Sequence, residues 1–228
     1  MKKVVYSCLF SNSDRVRDDP CTDNNVKLNG FDYIMFTNIP EHVTNSIWTP
    51  IYKDLIDDHP IYTAKHYKWL AHKYLLDYDI AIYVDAYLSP KIIDWNEYID
   101  KLTIDGAENG VRLMRHFHRN CIYDECSAIA RCRRDTSENM NKVIEFLKEN
   151  NMPTKFGLSQ GGLVVRHLKN KDFNNLCNEL YELLLKFTYR DQAMLSYVFW
   201  KNNVKLNLQL PTNLYSVSGK MGDHVYIT

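Results

Sequence analysis

The chain predicts an α/β fold, a single domain built on a mixed, mainly parallel sheet flanked by helices. Three observations carry this expectation. Short apolar runs alternate with helix-patterned segments along the whole length, as sheets with crossover connections require. No repeat, low-complexity segment or Pro/Gly-rich linker marks an internal boundary. A helix-patterned segment from Thr63 feeds the apolar run Ile80-Ala81-Ile82-Tyr83-Val84, which stops at a carboxylate, Asp85. A strand that ends on an acid points that acid at the rim of the sheet, where ligands of open α/β folds bind.

Taken in order, Val4 to Phe10 is an apolar run bounded by Ser-Asn-Ser-Asp, and Tyr33 to Phe36 is a second that runs into Thr37-Asn38-Ile39-Pro40. Both read as buried parallel strands with functional loops at their carboxyl ends. A third strand is predicted at Trp48 to Tyr52, then a helix from Thr63 to Leu76 whose buried side is Tyr67, Leu70, Ala71, Tyr74 and Leu75. That leaves Lys65, Lys68 and Lys73 for its other faces. After Asp85 come a helix around Trp95 to Leu102, a strand at Val111 to Arg115, and helices at Asp124 to Arg134 and Ser137 to Asn150, the last closed by Asn-Asn-Met-Pro. Gly161 to Arg166 is a strand entered through a glycine pair. Helices at Asp172 to Phe187 and Asp191 to Lys201, and a strand at Val204 to Leu210, precede an irregular tail.

Composition narrows the function. At 228 residues and 45% apolar content the chain supports one sizeable core. Its 28 basic and 28 acidic residues balance, so nucleic acid and anionic membranes are not expected as main partners, and binding should be local, in a pocket. No apolar run reaches the roughly 18 residues of a membrane span, and Met-Lys-Lys-Val-Val-Tyr-Ser lacks the apolar core of a signal peptide; a soluble, cytoplasmic protein, in a bacterial or virus-infected host cytosol, is expected. The six cysteines (8, 21, 121, 126, 132, 177) show no CxxC pair, which argues for reduced thiols over a zinc knuckle or disulfide framework.

Several motifs then fall in a family order: Phe36-Thr37-Asn38, Lys68 in the helix before the acid, Ile82-Tyr83-Val84-Asp85-Ala86, His118 to Glu125, Gly161-Gly162-Leu163-Val164-Val165-Arg166, and Arg190-Asp191-Gln192-Ala193. In this order the chain resembles nucleotide-sugar glycosyltransferases of the GT-A type, which have a Rossmann-like sheet, and most closely the domain of unknown function 616, or TOD/MUCI-like, family. The likeness covers nearly the whole chain. It implies a nucleotide-sugar-binding half over residues 1–88, and an acceptor-binding half with the tail over 89–228. It departs from the GT-A pattern at one place, since the usual Asp-x-Asp has Tyr87 as its third residue.

The resemblance implies transfer of a sugar from a UDP- or GDP-linked donor to a glycan or glycoprotein acceptor. A leaving diphosphate develops negative charge that a cation or fixed donors must meet. Asp85 would hold Mn²⁺ or Mg²⁺ there, with His224 as the second protein ligand, since hard cations take the rest of their oxygens from phosphate and water. Donor contacts are expected from Phe10, Asp14, Thr37, Lys68, Asp85 and Tyr87, with Lys65 or Lys68 offsetting phosphate charge; a solvated helix face is the other reading of Lys65. Gly161 and Gly162 would let backbone line the sugar site. Asp191 and Gln192 would lie beside the anomeric carbon, Asp191 as general base in an inverting enzyme, or either residue steadying an oxocarbenium-like state in a retaining one. His118, Arg119 and Glu125 are expected to contact donor sugar or acceptor, Arg119 through an anionic group and Glu125 through sugar hydroxyls. Arg131, Arg133 and Arg134 read as a solvated basic face. Two other readings stay open at this stage: a non-catalytic sugar- or nucleotide-binding domain, and a metal-dependent hydrolase using His116, His118 and Glu125.

Overall fold

The computed structural model describes residues 1–13, 18–20, 22–217 and 219. Eight strands and six α-helices alternate along it. The N-terminal half holds β1 (Lys3–Leu9), β2 (Phe31–Thr37), β3 (Thr49–Tyr52), α1 (Pro60–Trp69), β4 (Ile80–Val84), β5 (Leu88–Pro90) and α2 (Asn96–Ile99). The C-terminal half holds β6 (Val111–Arg115), α3 (Ile122–Arg131), α4 (Ser137–Glu149), β7 (Ser159–His167), α5 (Lys171–Phe187), α6 (Gln192–Lys201) and β8 (Tyr215–Val217).

Six strands form one sheet in the order β3-β2-β1-β4-β7-β6. The first four are mutually parallel; β7 runs antiparallel to both β4 and β6. The expected mixed, mainly parallel sheet is therefore observed, with β7 the reversed strand. The reversal matters because it brings the beginning of β7 to the edge where β1, β4 and β6 end. A small antiparallel pair, β5 with β8, lies beside this edge.

Both faces of the sheet are buried. Along β1 the side chains alternate, Val4, Tyr6 and Cys8 packing with α1, α3, α5 and α6, while Val5 and Leu9 pack on the other face with Trp48, Trp95 and Ile99. The predicted stripe of α1 is largely buried as expected, Tyr67, Leu70, Ala71 and Leu75 each under 9% exposed and Tyr74 at 37%. The helix itself ends at Trp69, followed by a 3-10 turn, and begins at Pro60 behind the His59 cap. Two expectations need correction, and one pair of strands was not predicted. The segment predicted as a strand at Val204 to Leu210 is extended but not a ladder strand; it hydrogen-bonds along β6 through Leu113 N to Asn207 O (2.8 Å) and Leu210 N to Leu113 O (3.1 Å). Strands β5 and β8, of three residues each, are too short to give a periodic signal. The helix predicted to Leu102 closes at Ile99.

Cys8, Cys121, Cys126 and Cys177 are buried free thiols and Cys132 is an exposed one. No helix among the described residues is long and apolar enough to cross a membrane.

Candidate functional site

The site grows from the end of β4. Tyr83 and Asp85 stand two residues apart and so face the same way, and the Tyr83 hydroxyl donates to Asp85 Oδ1 at 3.0 Å. The Asp85 amide donates to Gly162 O at 3.1 Å, and Leu88 N closes the following turn onto Asp85 O at 2.8 Å. A Cβ added to Gly162 would lie 3.4 Å from Asp85 Oδ2, so the glycine leaves that second oxygen facing an opening.

Beside it, α1 and α6 meet through charge. Lys68 Nζ donates to Asp191 Oδ2 at 2.6 Å and to the Gly161 carbonyl at 2.8 Å. Trp69 Nε1 donates to the same carboxylate oxygen at 3.1 Å, and Lys65 Nζ lies 3.0 Å from it. Three donors thus converge on one oxygen at the start of α6. The Lys68 ammonium also sits 4.7 Å from the centre of the Tyr83 ring and 5.1 Å from that of Trp69, where the aromatic faces favour a cation. A Cβ on Gly161 would approach Lys68 Nζ to 3.0 Å and both Asp191 oxygens to 3.5 Å, so this glycine is what lets β7 start here.

Burial sets the electrostatics. The side chains of Lys68 and Asp191 keep 3% and 6% of their exposure, and Lys65 keeps 17%. Burial alone would raise the Asp191 carboxyl, but the Lys65 and Lys68 charges and hydrogen bonds outweigh it and hold the group well below the usual carboxylate range. Lys65 is pulled down to about 8, first by burial and further by repulsion from Lys68 and Arg190, with Asp191 and Asp85 partly opposing the shift. Two ammoniums share one carboxylate, and the net positive charge is most accessible at Lys65. Such a cluster attracts an anion.

The sequence-predicted residues fall as follows. Lys68, Asp85, Gly161, Gly162 and Asp191 come together at one edge, with the half-buried Gln192 opening α6. Phe10 closes β1 and stacks on Tyr67, ring centres 5.5 Å apart. Tyr87 is half-buried in the turn after Asp85; burial pushes its phenol up, reinforced by the charges of Asp85 and Asp18, while Arg134 acts in the opposite sense. Asp14 and His224 lie outside the described residues.

Three of the expected residues have partners within the fold. Thr37 is fully buried and its hydroxyl accepts the Ile39 amide at 3.0 Å, which shapes the turn. Its neighbour Asn38 instead ties the two loops together, accepting from Ser11 N at 3.0 Å and donating to Ser11 O at 2.6 Å. Glu125 is 3% exposed, and its Oε2 accepts from Arg119 Nε at 2.5 Å with His116 Nε2 at 3.5 Å. Arg119 spends its Nε there, whereas His118 stays exposed. Lys65, which with Lys68 was a candidate to offset phosphate charge, turns inward to Asp191. Trp69 and Tyr83 had no assigned role in the sequence reading.

Among the described residues no three His, Cys, Asp or Glu side chains gather as a metal site. Asp85 nonetheless suits one position on a hard divalent cation, because Tyr83 occupies Oδ1 and Gly162 clears the space at Oδ2.

Comparison with known proteins follows from this geometry. Mouse xyloside xylosyltransferase 1 in its apo form matches over 90% of this chain and 82% of its own, at 9% identity and a TM-score of 0.48. The bifunctional glycosyltransferase WbbM, also apo, matches over 90% of this chain and 38% of its own, at 12% identity and a TM-score of 0.45. A comparison with curated proteins finds none that matches. The family comparison agrees with the order of motifs along the chain and with the acid-ended strand of a mixed α/β sheet: residues 1–219 match the TOD1/MUCI70 glycosyltransferase-like domain, and the chain belongs to that family.

Proposed function

We propose that the protein moves a sugar from a UDP- or GDP-linked donor to a glycan or glycoprotein acceptor, with Lys65 and Lys68 meeting the diphosphate charge. The observation that carries this reading is the pair of lysines gathered on Asp191 at the Gly161 carbonyl, beside Asp85. As the bond from the anomeric carbon to the phosphate oxygen breaks, negative charge grows on the diphosphate, and pre-oriented cations in a water-poor site stabilise it without reorganising. A Mn²⁺ or Mg²⁺ ion held by Asp85, with His224 as the proposed partner ligand, would add Lewis-acid stabilisation of the same charge.

Asp191 is a poor proton acceptor. A general base works best with a pKa near the working pH, and this carboxyl is held far below it with Oδ2 already taking three donors. In the reading that fits, Asp191 fixes the lysines, and its second oxygen with Gln192 holds sugar hydroxyls and steadies the positive charge on the sugar ring. The new bond forms from the acceptor oxygen to the anomeric carbon, and the acceptor proton passes to the departing phosphate oxygen.

The test is thermal stability against a panel of nucleotide sugars and nucleoside diphosphates with and without Mn²⁺, followed by turnover with the donor that binds. A folded-state ligand at a hundred times its Kd adds about 2.7 kcal/mol of stability. A rise in melting temperature with one UDP- or GDP-sugar, its metal-dependent part lost in Asp85→Asn and turnover lost in Asp191→Asn, is the expected result. No shift with any nucleotide, or turnover unchanged in both variants, would overturn the reading.

A further inference from the structure

A second concavity lies on the outer side of β6, away from Asp85. The extended segment 205–210 runs along this edge, and between it and the loop 155–158 opens a cleft of about 580 Å³. Its lining is rich in cations and amides. Arg115, Lys155 and Lys205 stand against a single acid, Glu108, and none of the three cations is in an ion pair among the described residues. Asn109, Asn120, Asn207 and Gln209 add amides, and Phe156, Leu206 and Leu208 form an apolar wall.

The cleft is held open by its own structure. Asn207 donates from Nδ2 to Glu108 O at 2.9 Å, which ties the extended segment to the turn that carries the cleft's one acid. The loop 155–158 carries backbone strain at Lys155, a non-glycine residue at φ 59°, and needs glycine at position 157, where φ is 121°. A Cβ on Gly157 would meet Leu206 and Leu208 at 3.3 and 3.4 Å, so the cleft keeps its width only with glycine there.

The cleft is joined to the donor edge by the sheet. Arg115 pairs with Ser159 and Met114 with Gln160, and the next residue is Gly161, whose carbonyl holds Lys68. At about 3.3 Å per residue, Leu158 in the cleft is roughly 10 Å along the strand from Gly161.

Amides suit hydroxyl groups, an aromatic and aliphatic wall suits the C–H face of a sugar ring, and unpaired cations suit carboxylate or sulfate. We propose that this cleft binds an acidic oligosaccharide, with Arg115, Lys155 and Lys205 contacting its anionic groups, and that this glycan is the acceptor. Its role as acceptor rests on the glycosyl-transfer reading above; its binding does not.

The test is calorimetric titration of the whole protein, without donor, by hexagalacturonate, a sulfated hexasaccharide and maltohexaose. Tighter binding of an acidic hexasaccharide than of maltohexaose by roughly tenfold is expected, lost in Arg115→Gln/Lys205→Gln and kept in Lys148→Gln/Lys186→Gln, whose lysines lie on the outer helices. Lys155→Gly, which relieves the backbone while removing the charge, should weaken binding without lowering the melting temperature. Galacturonate against sulfate tells which anion is read. Equal affinity for neutral and acidic glycans, equal loss in the helix-surface variant, or no binding at all overturns the proposal. Acidic-glycan binding localised to the cleft with no sugar transferred onto it, by protein that turns over its donor, would leave the binding site standing and overturn the glycan's role as acceptor; absence of any donor binding would instead overturn the transfer reading.

Discussion

At the scale of single residues, the Lys65, Lys68 and Asp191 cluster governs both stability and charge. Removing one partner of a buried ion pair strands the other, at a cost of about 3–5 kcal/mol. Asp191→Asn leaves two lysines facing each other and should lose stability in that range. Lys68→Met should lose less, because Lys65 and Trp69 remain on the carboxylate. Denaturant titration of the two variants gives the ordering. The Lys65 ammonium deprotonates near 8, so donor affinity should fall as pH rises through that value. In Lys65→Met the affinity should be lower throughout and flat across the same window, as binding isotherms at pH 7 to 9 would show. Little of this cluster was legible in the sequence. Asp85 was, since a strand-ending acid needs only the apolar run before it, but Lys65 looks like any exposed helical lysine until α6 supplies the carboxylate that draws it inward. The bond that Thr37 makes to the Ile39 amide was equally hidden, because a strand-end hydroxyl can face its own turn or the rim and the sequence does not distinguish the two.

At the scale of elements, β7 carries the most consequence. Because it runs against its neighbours, the two glycines near its start, Gly161 and Gly162, meet the carboxyl end of β4. Gly161→Ala would push a Cβ to 3.0 Å from Lys68 Nζ, the mobile end of a side chain, so the fold should survive and the ammonium should move. Misplacements on the order of 1 Å cost up to about a hundredfold in rate; turnover should drop by roughly tenfold or more with little change in melting temperature. Gly162→Ala makes ordinary contact with Asp85 at 3.4 Å, and its effect should appear in donor or metal affinity before turnover. Steady-state kinetics on the pair separates the two. Strands β1, β2, β4 and β6 and helices α4 and α5 were readable because apolar period and caps agree, for example Thr136 accepting the Asn139 amide at the start of α4. The β5–β8 pair was not, since it is held by tertiary hydrogen bonds with no period of its own, and the segment along β6, read as a strand, follows that edge through only two backbone bonds and one bridge.

At the scale of the whole molecule, buried titratable groups bracket the pH range of stability. Burial lowers His66, His72 and His167 from 6.5, His72 to about 3, with Arg166 and Lys73 adding to the burial at His72. Below pH 6.5 the unfolded chain therefore takes up protons that the folded one refuses, and stability falls on acidification. Asp191, held below its ordinary 3.8, adds a further loss as pH drops under about 4. On the alkaline side burial raises the Cys8, Cys126 and Cys177 thiols above 9.0, so the unfolded chain loses protons first and stability falls again. Lys65 acts the other way between about 8 and 10.5, one group against three. Melting temperatures scanned across pH should show a plateau from about 6.5 to 9 with a decline on both flanks; a maximum outside it would mean that other groups dominate.

The bond between Lys68 and Asp191 spans 123 residues of chain. A ribosome adding about 5–20 residues per second needs on the order of ten seconds to pass from one to the other. For that interval the nascent chain carries two lysines destined for burial with no counter-charge, and α1 cannot settle in its final place. The site is thus completed from its far end: a polypeptide stalled before α6 would carry all six strands of the main sheet but no carboxylate for its two inward lysines, and the arrival of the last helix neutralises them and finishes the site together.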